Sequence, residues 1–356
     1  MLKAVGAGLL SDRATGSPGA NDAEPGSQHE GGGAGAPSAV RHHRLKVNGI
    51  GLHVAEQGSG PAVVFCHGFP AIWSSWRAQM AAVAAAGWRA IALDMRGYGE
   101  SDAPPEAEAY TAFHTVGDLV GVLNQLDIPT AVVVGHDFGA NIAWNAAMMR
   151  PDRFTAVFGI SVPFSPPAAN FLDQLRTAGK HDFYMFDQMR PEADALWADA
   201  ATTIPGVYYW TSGQAPDNER WDPFNPARGL LRPAPEPVRV IDHAYLQEAV
   251  ASFTRTGFHG GLNYYRAIDR YFSLASGPFA GATIHQPSFF LTGAQDGLNK
   301  LRDLSEKTLR PGMPGLRGFL LVEGAGHWPQ FEAMGQVNEA LLSFLAGLRD
   351  TATATR

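Results

Sequence analysis

The sequence predicts an α/β fold with a mostly parallel central sheet, helices on both faces and an inserted helical cap. Short apolar runs typical of buried strands alternate with helix-like segments over residues 41–163, and again over residues 287–350. Strands that are buried on both faces of a parallel sheet have such nearly continuous apolar runs. Residues 164–286, in between, lack strand-like runs and are rich in Pro, Trp and Tyr, so we assign them to the cap.

The individual elements follow from the spacing of apolar residues and from the positions of Gly and Pro. The predicted strands are residues 53–55, 61–66, 89–93, 131–134, 156–161, 287–291 and 318–322. The predicted helices of the two core parts are residues 77–86, 116–126, 141–149 and 337–348. Pro151 ends the third of these helices, because proline removes a backbone donor and clashes with the preceding turn.

Residues 1–40 have a different composition from the rest of the chain. They are rich in Gly, Ala, Ser and Pro, with scattered acidic residues and no periodic apolar face. Such a segment cannot offset its ordering entropy by burial, so we expect a disordered tail. Lys3 precedes only a short apolar patch, which makes a poor signal peptide, and we therefore expect a cytoplasmic protein.

The overall composition excludes several classes of protein. A hydrophobic content of 45% with 17% charged residues supports a globular core. The 27 Lys and Arg residues against 34 Asp and Glu give a net charge of −7, and the sequence contains no run of Lys or Arg. Both observations argue against a nucleic acid partner. A single cysteine, Cys66, excludes an internal disulfide and a multi-thiolate metal site. The longest apolar stretch, residues 130–149, contains His136 and Asp137, so no membrane span is expected.

A nucleophile turn is predicted at Asp137. An apolar strand ends in Gly135 and runs directly into a helix, with a second glycine, Gly139, two residues after the aspartate. This spacing is that of the nucleophile elbow, whose central residue has a strained, positive φ that a flanking Cβ would crowd. We expect the turn to lift the Asp137 carboxylate clear of the sheet, beside the amide of Phe138.

Two later residues complete a triad in the chain order of α/β-hydrolases, which is nucleophile, acid and histidine. Asp296 follows the predicted strand at 287–291, and His327 follows the one at 318–322. Because parallel strands end at the same edge of a sheet, we expect the three side chains to meet there. The sequence therefore predicts the α/β-hydrolase fold.

The loop after the strand at 61–66 is the predicted oxyanion loop. It contains Phe69, whose amide can pair with the amide of Phe138 to hold an oxyanion. Pro70 follows, and whether its peptide bond is cis or trans stays open.

Aspartate at the nucleophile position, where hydrolases of esters have serine, decides the chemistry. A carboxylate is ionised at neutral pH without a base and can displace a leaving group at a saturated carbon, which gives an alkyl ester on the enzyme. His327, oriented by Asp296, then activates water against that ester. Esterase and peptidase activity are thereby disfavoured.

From about residue 41 to 349 the chain resembles the α/β-hydrolase-fold epoxide hydrolases. The motifs that carry the resemblance are His67-Gly-Phe-Pro70, Asp94-Met-Arg-Gly-Tyr-Gly-Glu-Ser101, Gly135-His-Asp-Phe-Gly139, Gly257-Phe-His-Gly-Gly-Leu-Asn-Tyr-Tyr-Arg266 and Gly326-His-Trp328. The resemblance implies hydrolysis of an epoxide to a vicinal diol without a cofactor. It also implies a small, neutral, apolar substrate and water as the second reactant, and it leaves a homodimer open.

The resemblance implies two donors to the epoxide oxygen, both in the cap. Tyr265 matches the first. For the second, a gap-free register places His181 where the family usually has a tyrosine, and a shift of three residues would place Tyr184 there instead. His67, Pro70 and Trp73 are the expected substrate-binding residues around the oxyanion loop.

Two other functions share features with this sequence. The resemblance extends to haloacetate and haloalkane dehalogenases, which have the same aspartate nucleophile. The residue after that nucleophile is arginine in the haloacetate enzymes and tryptophan in the haloalkane enzymes, whereas this chain has Phe138. A non-catalytic α/β-hydrolase is disfavoured because the triad of Asp137, Asp296 and His327 is intact. No metal-ligand spacing, phosphate loop or dinucleotide fingerprint occurs, so we expect neither a metal nor a cofactor.

Overall fold

A computed structural model describes residues 38–354 of the chain. Eight strands in this range form one sheet. They are β1 (Arg41–Val47), β2 (Ile50–Gly58), β3 (Ala62–Cys66), β4 (Arg89–Leu93), β5 (Ala131–His136), β6 (Phe154–Ile160), β7 (Ser288–Gly293) and β8 (Leu316–Val322). Their order across the sheet is β1-β2-β4-β3-β5-β6-β7-β8. The β1–β2 and β2–β4 pairs are antiparallel and the other pairs are parallel, so the predicted mostly parallel sheet is confirmed.

Helices surround the sheet and form the segment between β6 and β7. They are α1 (Arg77–Ala85), α2 (Ala112–Gln125), α3 (Phe138–Met149), α4 (Phe171–Thr177), α5 (Met185–Met189), α6 (Ala193–Trp197), α7 (Ala200–Thr211), α8 (His243–Thr256), α9 (His259–Arg266), α10 (Ile268–Ala275), α11 (Glu306–Leu309), α12 (Pro329–Glu332) and α13 (Met334–Ala354). Over residues 38–354, none of these helices is both long and apolar enough to cross a membrane.

Both faces of the sheet are buried against helices, because successive residues of each strand point to opposite sides. Val64 of β3 belongs to the apolar cluster that includes α2 and α3, whereas the next residue, Phe65, belongs to the cluster that includes α1 and α13. The same alternation in β5 places Val133 and Val134 in different clusters. This two-sided burial explains why the strands of the core have continuous apolar runs.

The cap expected at residues 164–286 falls between β6 and β7. In this part of the described chain the structure has the helices α4 to α10 and no strand. Several cap aromatics, among them Trp197, Tyr208 and Phe258, are buried in the same apolar cluster as α2 and α3. These cap residues therefore share an apolar core with the helices on one face of the sheet.

The N-terminal part of the body begins earlier than expected. Strand β1 was not predicted, and it pairs with β2 through a hairpin whose turn is Asn48-Gly49, both with positive φ. Ser38, inside the expected tail, accepts a hydrogen bond from Gln57 Nε2 at 2.7 Å through its carbonyl oxygen. The rest of the expected tail, residues 1–37, lies outside the described residues.

A buried ion pair fixes the loop after β4. Arg96 donates to both carboxylate oxygens of Asp118 in α2, each at 2.6 Å, and the two side chains are 4% and 1% exposed. Arg96 also donates to the carbonyl oxygen of Ala109. Because the guanidinium of Arg96 is removed from water, its buried charge must be compensated by these acceptors.

We expect Asp118→Ala to destabilise the protein by about 3–5 kcal/mol, because the substitution leaves a buried guanidinium without its counter-ion. Chemical denaturation checks this. Glu306→Gln is the matched control, since its partner Arg310 is half exposed and surface pairs contribute less than about 1 kcal/mol. Equal effects of the two substitutions would contradict the expectation.

Candidate active site

Asp137 lies at the sharp turn between β5 and α3, with a φ of 56°. The flanking glycines are required by close backbone contacts. A Cβ on Gly135 would lie 2.0 Å from the carbonyl oxygen of Gly139, and a Cβ on Gly139 would lie 2.0 Å from that of Cys66. The turn therefore has the geometry predicted for the nucleophile elbow, and α3 begins directly after the aspartate.

The loop after β3 lies directly against Asp137. The amide of Phe69 donates to Asp137 Oδ1 at 2.9 Å, and the peptide bond between Phe69 and Pro70 is cis. A Cβ on Gly68 would lie 2.4 Å from the same carboxylate oxygen, so only glycine fits there. Phe138 is the first residue of α3, where backbone amides have no acceptor within the helix. One donor of the predicted oxyanion hole thus already contacts the carboxylate.

His327, in the loop after β8, lies between two carboxylates. Its Nδ1 is 2.9 Å from Oδ2 of Asp296, which follows β7, and its Nε2 is 3.6 Å from Oδ2 of Asp137. The second carboxylate oxygen of Asp296 accepts from the amide of Leu298 at 2.9 Å, which fixes its orientation. All three ionisable side chains are buried. The structure therefore brings the predicted triad together in one place.

The three charges strongly affect one another. Burial by itself lowers the pKa of His327, but the carboxylates of Asp296 and Asp137 outweigh it and raise that pKa to about 10. Burial likewise opposes ionisation of Asp137, yet its pKa is lowered because His327 stabilises the carboxylate. The two carboxylates therefore favour the protonated form of the imidazole in the free protein.

The loop that carries His327 is held by groups that sequence reasoning missed. The backbone amide of His327 donates to the carbonyl oxygen of Thr211 in α7 at 2.8 Å. Its carbonyl oxygen accepts from His136 Nε2 at 2.7 Å and from Ser161 Oγ at 3.0 Å. The ring of His136, at the end of β5, thus contacts the His327 loop that follows β8. Its position directly before Asp137 is the only sequence signal for this role.

Glu332 in α12 holds the same loop to the cap. Its carboxylate accepts from the amides of Gly326 and Trp328, on either side of the histidine, at 3.0 and 2.9 Å. It also accepts from the amide of Gly213, just after α7, at 2.7 Å. No sequence pattern marks Glu332, because its three partners are backbone groups and one of them, Gly213, lies in a distant segment.

Two tyrosines face Asp137 from the cap. Tyr265 lies in α9 and Tyr184 directly precedes α5, and their rings are 6.2 Å apart in a T-shaped arrangement with interacting hydroxyls. Both line a small cavity of about 20 Å³ together with Asp137, His327 and Pro70. Burial raises the pKa of each phenol well above its ordinary value, so both remain neutral donors.

The gap-free register that placed His181 in the site is wrong. His181 is exposed and does not line the cavity, whereas Tyr184, three residues later, does. The physical reason is that the polar residues Lys180 and His181 remain exposed to solvent, whereas the aromatic residues that follow them pack into the core. Phe183 is 1% exposed, and the amide of Tyr184 is anchored to the carbonyl oxygen of Pro223 at 2.9 Å.

Two expected substrate-binding residues do not line the cavity either. His67 is buried, and both ring nitrogens bond to the backbone: Nδ1 donates to the carbonyl oxygen of Gly68 at 2.9 Å, and Nε2 accepts from the amide of Met95 at 3.1 Å. The ring of Trp73 contacts that of His53, and its amide donates to Asp94. Both residues therefore hold neighbouring loops, and their role in substrate binding stays a prediction.

A second, larger cavity of about 300 Å³ lies within the cap segment. Tyr184, Trp197 and Leu230 line both cavities and so form the wall between them. Among residues 38–354, no group of three His, Cys, Asp or Glu side chains is placed to hold a metal ion. The chemistry available to the smaller cavity is that of a carboxylate nucleophile, a buried imidazole and neutral donors.

Comparison with known proteins agrees with this geometry. The family model for the α/β hydrolase fold matches residues 61–333. An epoxide hydrolase of Caballeronia sordidicola is 55% identical over 309 residues, which cover 86% of this chain and 94% of the relative. Epoxide hydrolase A of Mycobacterium tuberculosis is 37% identical over 334 residues, or 88% of this chain and 99% of that one.

Solved structures give the same result. An epoxide hydrolase from an endophytic Streptomyces superimposes with a TM-score of 0.81 at 36% identity, covering 87% of this chain and 96% of its own. An epoxide hydrolase from Vigna radiata has a TM-score of 0.77 at 32% identity, with 86% and 98% of the two chains covered. The chain therefore belongs to the α/β-hydrolase fold family and, within it, to the epoxide hydrolases.

Proposed function

We propose that this protein hydrolyses an epoxide to a vicinal diol through an alkyl ester on Asp137. The observation that carries the proposal is the arrangement around that carboxylate. One oxygen accepts from the amide of Phe69, the other lies 3.6 Å from His327 Nε2, and two phenols face it across a small cavity. A carboxylate nucleophile needs no base, whereas the hydroxyls of Tyr184 and Tyr265 are suited to a leaving oxygen.

In the first half-reaction Asp137 attacks an epoxide carbon. Oδ2 forms the new C–O bond, because Oδ1 is already held by the amide of Phe69. The ring C–O bond breaks, and the oxygen that leaves takes a proton donated by Tyr265 or Tyr184. No atom of the epoxide is lost in this step, so the ester carries its whole mass.

In the second half-reaction water hydrolyses the ester. Esterification removes the negative charge of Asp137, one of the two carboxylates that raise the pKa of His327. The pKa of His327 therefore falls, so the imidazolium gives up a proton, which replaces the one that the tyrosine lost in ring opening, and the neutral imidazole can take a proton from the attacking water. Negative charge then develops on Oδ1, where the amides of Phe69 and Phe138 can stabilise it. The bond between the carboxyl carbon and Oδ2 breaks, and Oδ2 leaves as the second hydroxyl of the diol with the proton from His327. The water oxygen stays in the carboxyl group, whose proton returns to the imidazole. Asp296 keeps the imidazole oriented throughout.

The two phenols favour an epoxide over a halide. Opening of an epoxide generates an alkoxide, which needs a proton, whereas a halide ion leaves without one. Phe138, the residue after the nucleophile, packs its ring on Tyr265 with centroids 4.7 Å apart, and so supports the donor. The expected cytoplasmic location, the open question of a homodimer, and a small neutral substrate stay predictions.

The state of His327 in the free protein is directly measurable. Its raised pKa means that the imidazolium stabilises the fold fully below pH 6.5, and that this stabilisation is lost as the pH rises through about 10. We expect ring nitrogen shifts in NMR to show a protonated His327 at neutral pH. Asp137→Asn should lower the pKa of His327, because one of the two carboxylates that raise it is removed. A wild-type His327 that titrates near 6.5 would contradict the charge arrangement.

His327→Gln should separate the two half-reactions, because alkylation uses the Asp137 carboxylate and the tyrosine donors without a base, whereas ester hydrolysis needs a base. After mixing with styrene oxide, intact-mass analysis should show the protein plus the whole mass of the epoxide. The control is His327→Gln combined with Asp137→Ala, which should show no adduct. Full diol formation by Asp137→Ala alone would disprove the proposed mechanism.

The two tyrosines should both contribute to alkylation. In the His327→Gln background, Tyr184→Phe and Tyr265→Phe should each slow single-turnover alkylation by about 10²-fold, since each removes one donor to the developing alkoxide. His181→Ala, on the exposed side of the same segment, should leave the rate unchanged. A normal rate for Tyr184→Phe would leave Tyr265 as the only donor and contradict the two-tyrosine arrangement.

A further inference from the structure

Three tryptophans line the catalytic cavity, and they differ in what their indole N–H groups bond to. Nε1 of Trp197 donates to Gln188 Oε1 at 2.6 Å, and Nε1 of Trp328 donates to Thr211 Oγ1 at 2.7 Å. Nε1 of Trp221 is buried and has no acceptor within hydrogen-bond distance among the described residues. Trp221 as a whole is only 4% exposed.

The ring of Trp221 is held in place by its neighbours. The Cε3–Cζ3 edge of the indole lies against Gly297, where a Cβ would come within 2.8 Å of Cε3, and the ring meets that of Tyr184 at 5.0 Å in a T-shaped contact. Its backbone amide donates to the carbonyl oxygen of Trp210 at 2.9 Å. The N–H is on the opposite edge of the indole, away from Gly297.

A buried donor without an acceptor is unfavourable, and natural proteins rarely keep one that has no use. The two other indoles of the cavity, by contrast, each have an acceptor within the protein. The ring-opening donors, Tyr184 and Tyr265, already supply the hydrogen bonds that the epoxide oxygen needs. The N–H of Trp221 is therefore free for a different atom of the substrate.

We propose that Trp221 donates a hydrogen bond to an acceptor oxygen on the substituent of the substrate, close to the epoxide ring. The inference rests on the proposed function and specifies its substrate class: neutral epoxides with an ether or carbonyl oxygen beside the ring, such as glycidyl ethers. An anionic acceptor is disfavoured, because Asp137 is itself anionic and no Lys or Arg is among the residues that line the smaller cavity.

The test compares two substrates that differ in a single group. One is phenyl glycidyl ether, and the other is its carbon analogue, in which a methylene group replaces the ether oxygen. For each protein, the ratio of kcat/KM for the ether to kcat/KM for the analogue is measured. Trp221→Phe keeps an aromatic ring and removes the N–H, so we expect this ratio to fall about fivefold. The matched control is Trp197→Phe, whose N–H is committed to Gln188, and it should leave the ratio unchanged.

Because both substrates are measured on the same sample, loss of folded protein cancels from the ratio. If Trp221→Phe lowers kcat/KM equally for both substrates, or changes neither, the assignment of Trp221 is overturned while the proposed function stands. If the wild-type protein converts neither epoxide and forms no adduct on Asp137, the proposed function and this inference fall together.

Discussion

Burial of an imidazole between two carboxylates is the constraint around which the rest of the site is arranged. His327 is 2.9 Å from Asp296 and 3.6 Å from Asp137, in a place from which water is largely excluded. An unpaired charge there would be very costly, so all three groups must be present together. Each follows a different strand, and only a parallel sheet brings the ends of β5, β7 and β8 to a single edge. The absence of a Cβ at Gly68 then allows the oxyanion loop to reach the nucleophile.

The donors around this charged group fall into two sets. Some have permanent partners inside the protein, such as the indole of Trp328 on Thr211, and they fix the walls of the cavity. Others line the cavity: the phenols of Tyr184 and Tyr265, and Trp221, whose indole N–H has no acceptor among the described residues. All of these are neutral, and burial keeps the two phenols neutral well beyond physiological pH. Among the described residues that line the cavity there is thus one reactive anion, Asp137, and no Lys or Arg.

The triad could be predicted from the sequence because each of its residues lies within five residues of the end of its strand, so local order along the chain determines position in space. Asp137 had in addition a turn whose glycines are required by contacts within a few residues. Tyr184 could not be placed in the same way, since a helical cap has no strand end to fix the register and both His181 and Tyr184 fitted the pattern. Trp221 and Glu332 were missed because their roles depend on contacts between distant segments. Strand β1 was missed although its Asn48-Gly49 turn is a strong hairpin signal.

The attachment of the His327 loop to α7 limits how far the cap can be treated as an exchangeable module. The amide of His327 bonds to Thr211, and Glu332 bonds to Gly213, so the base takes part of its support from the inserted segment itself. A chimaera that received the cap of a related protein would keep His327 in position only if that cap supplied an equivalent end of α7. Diversification of the substrate range is therefore easiest between Gly213 and α8, where residues such as Trp221 and Leu230 line the cavity without carrying the base or a ring-opening donor.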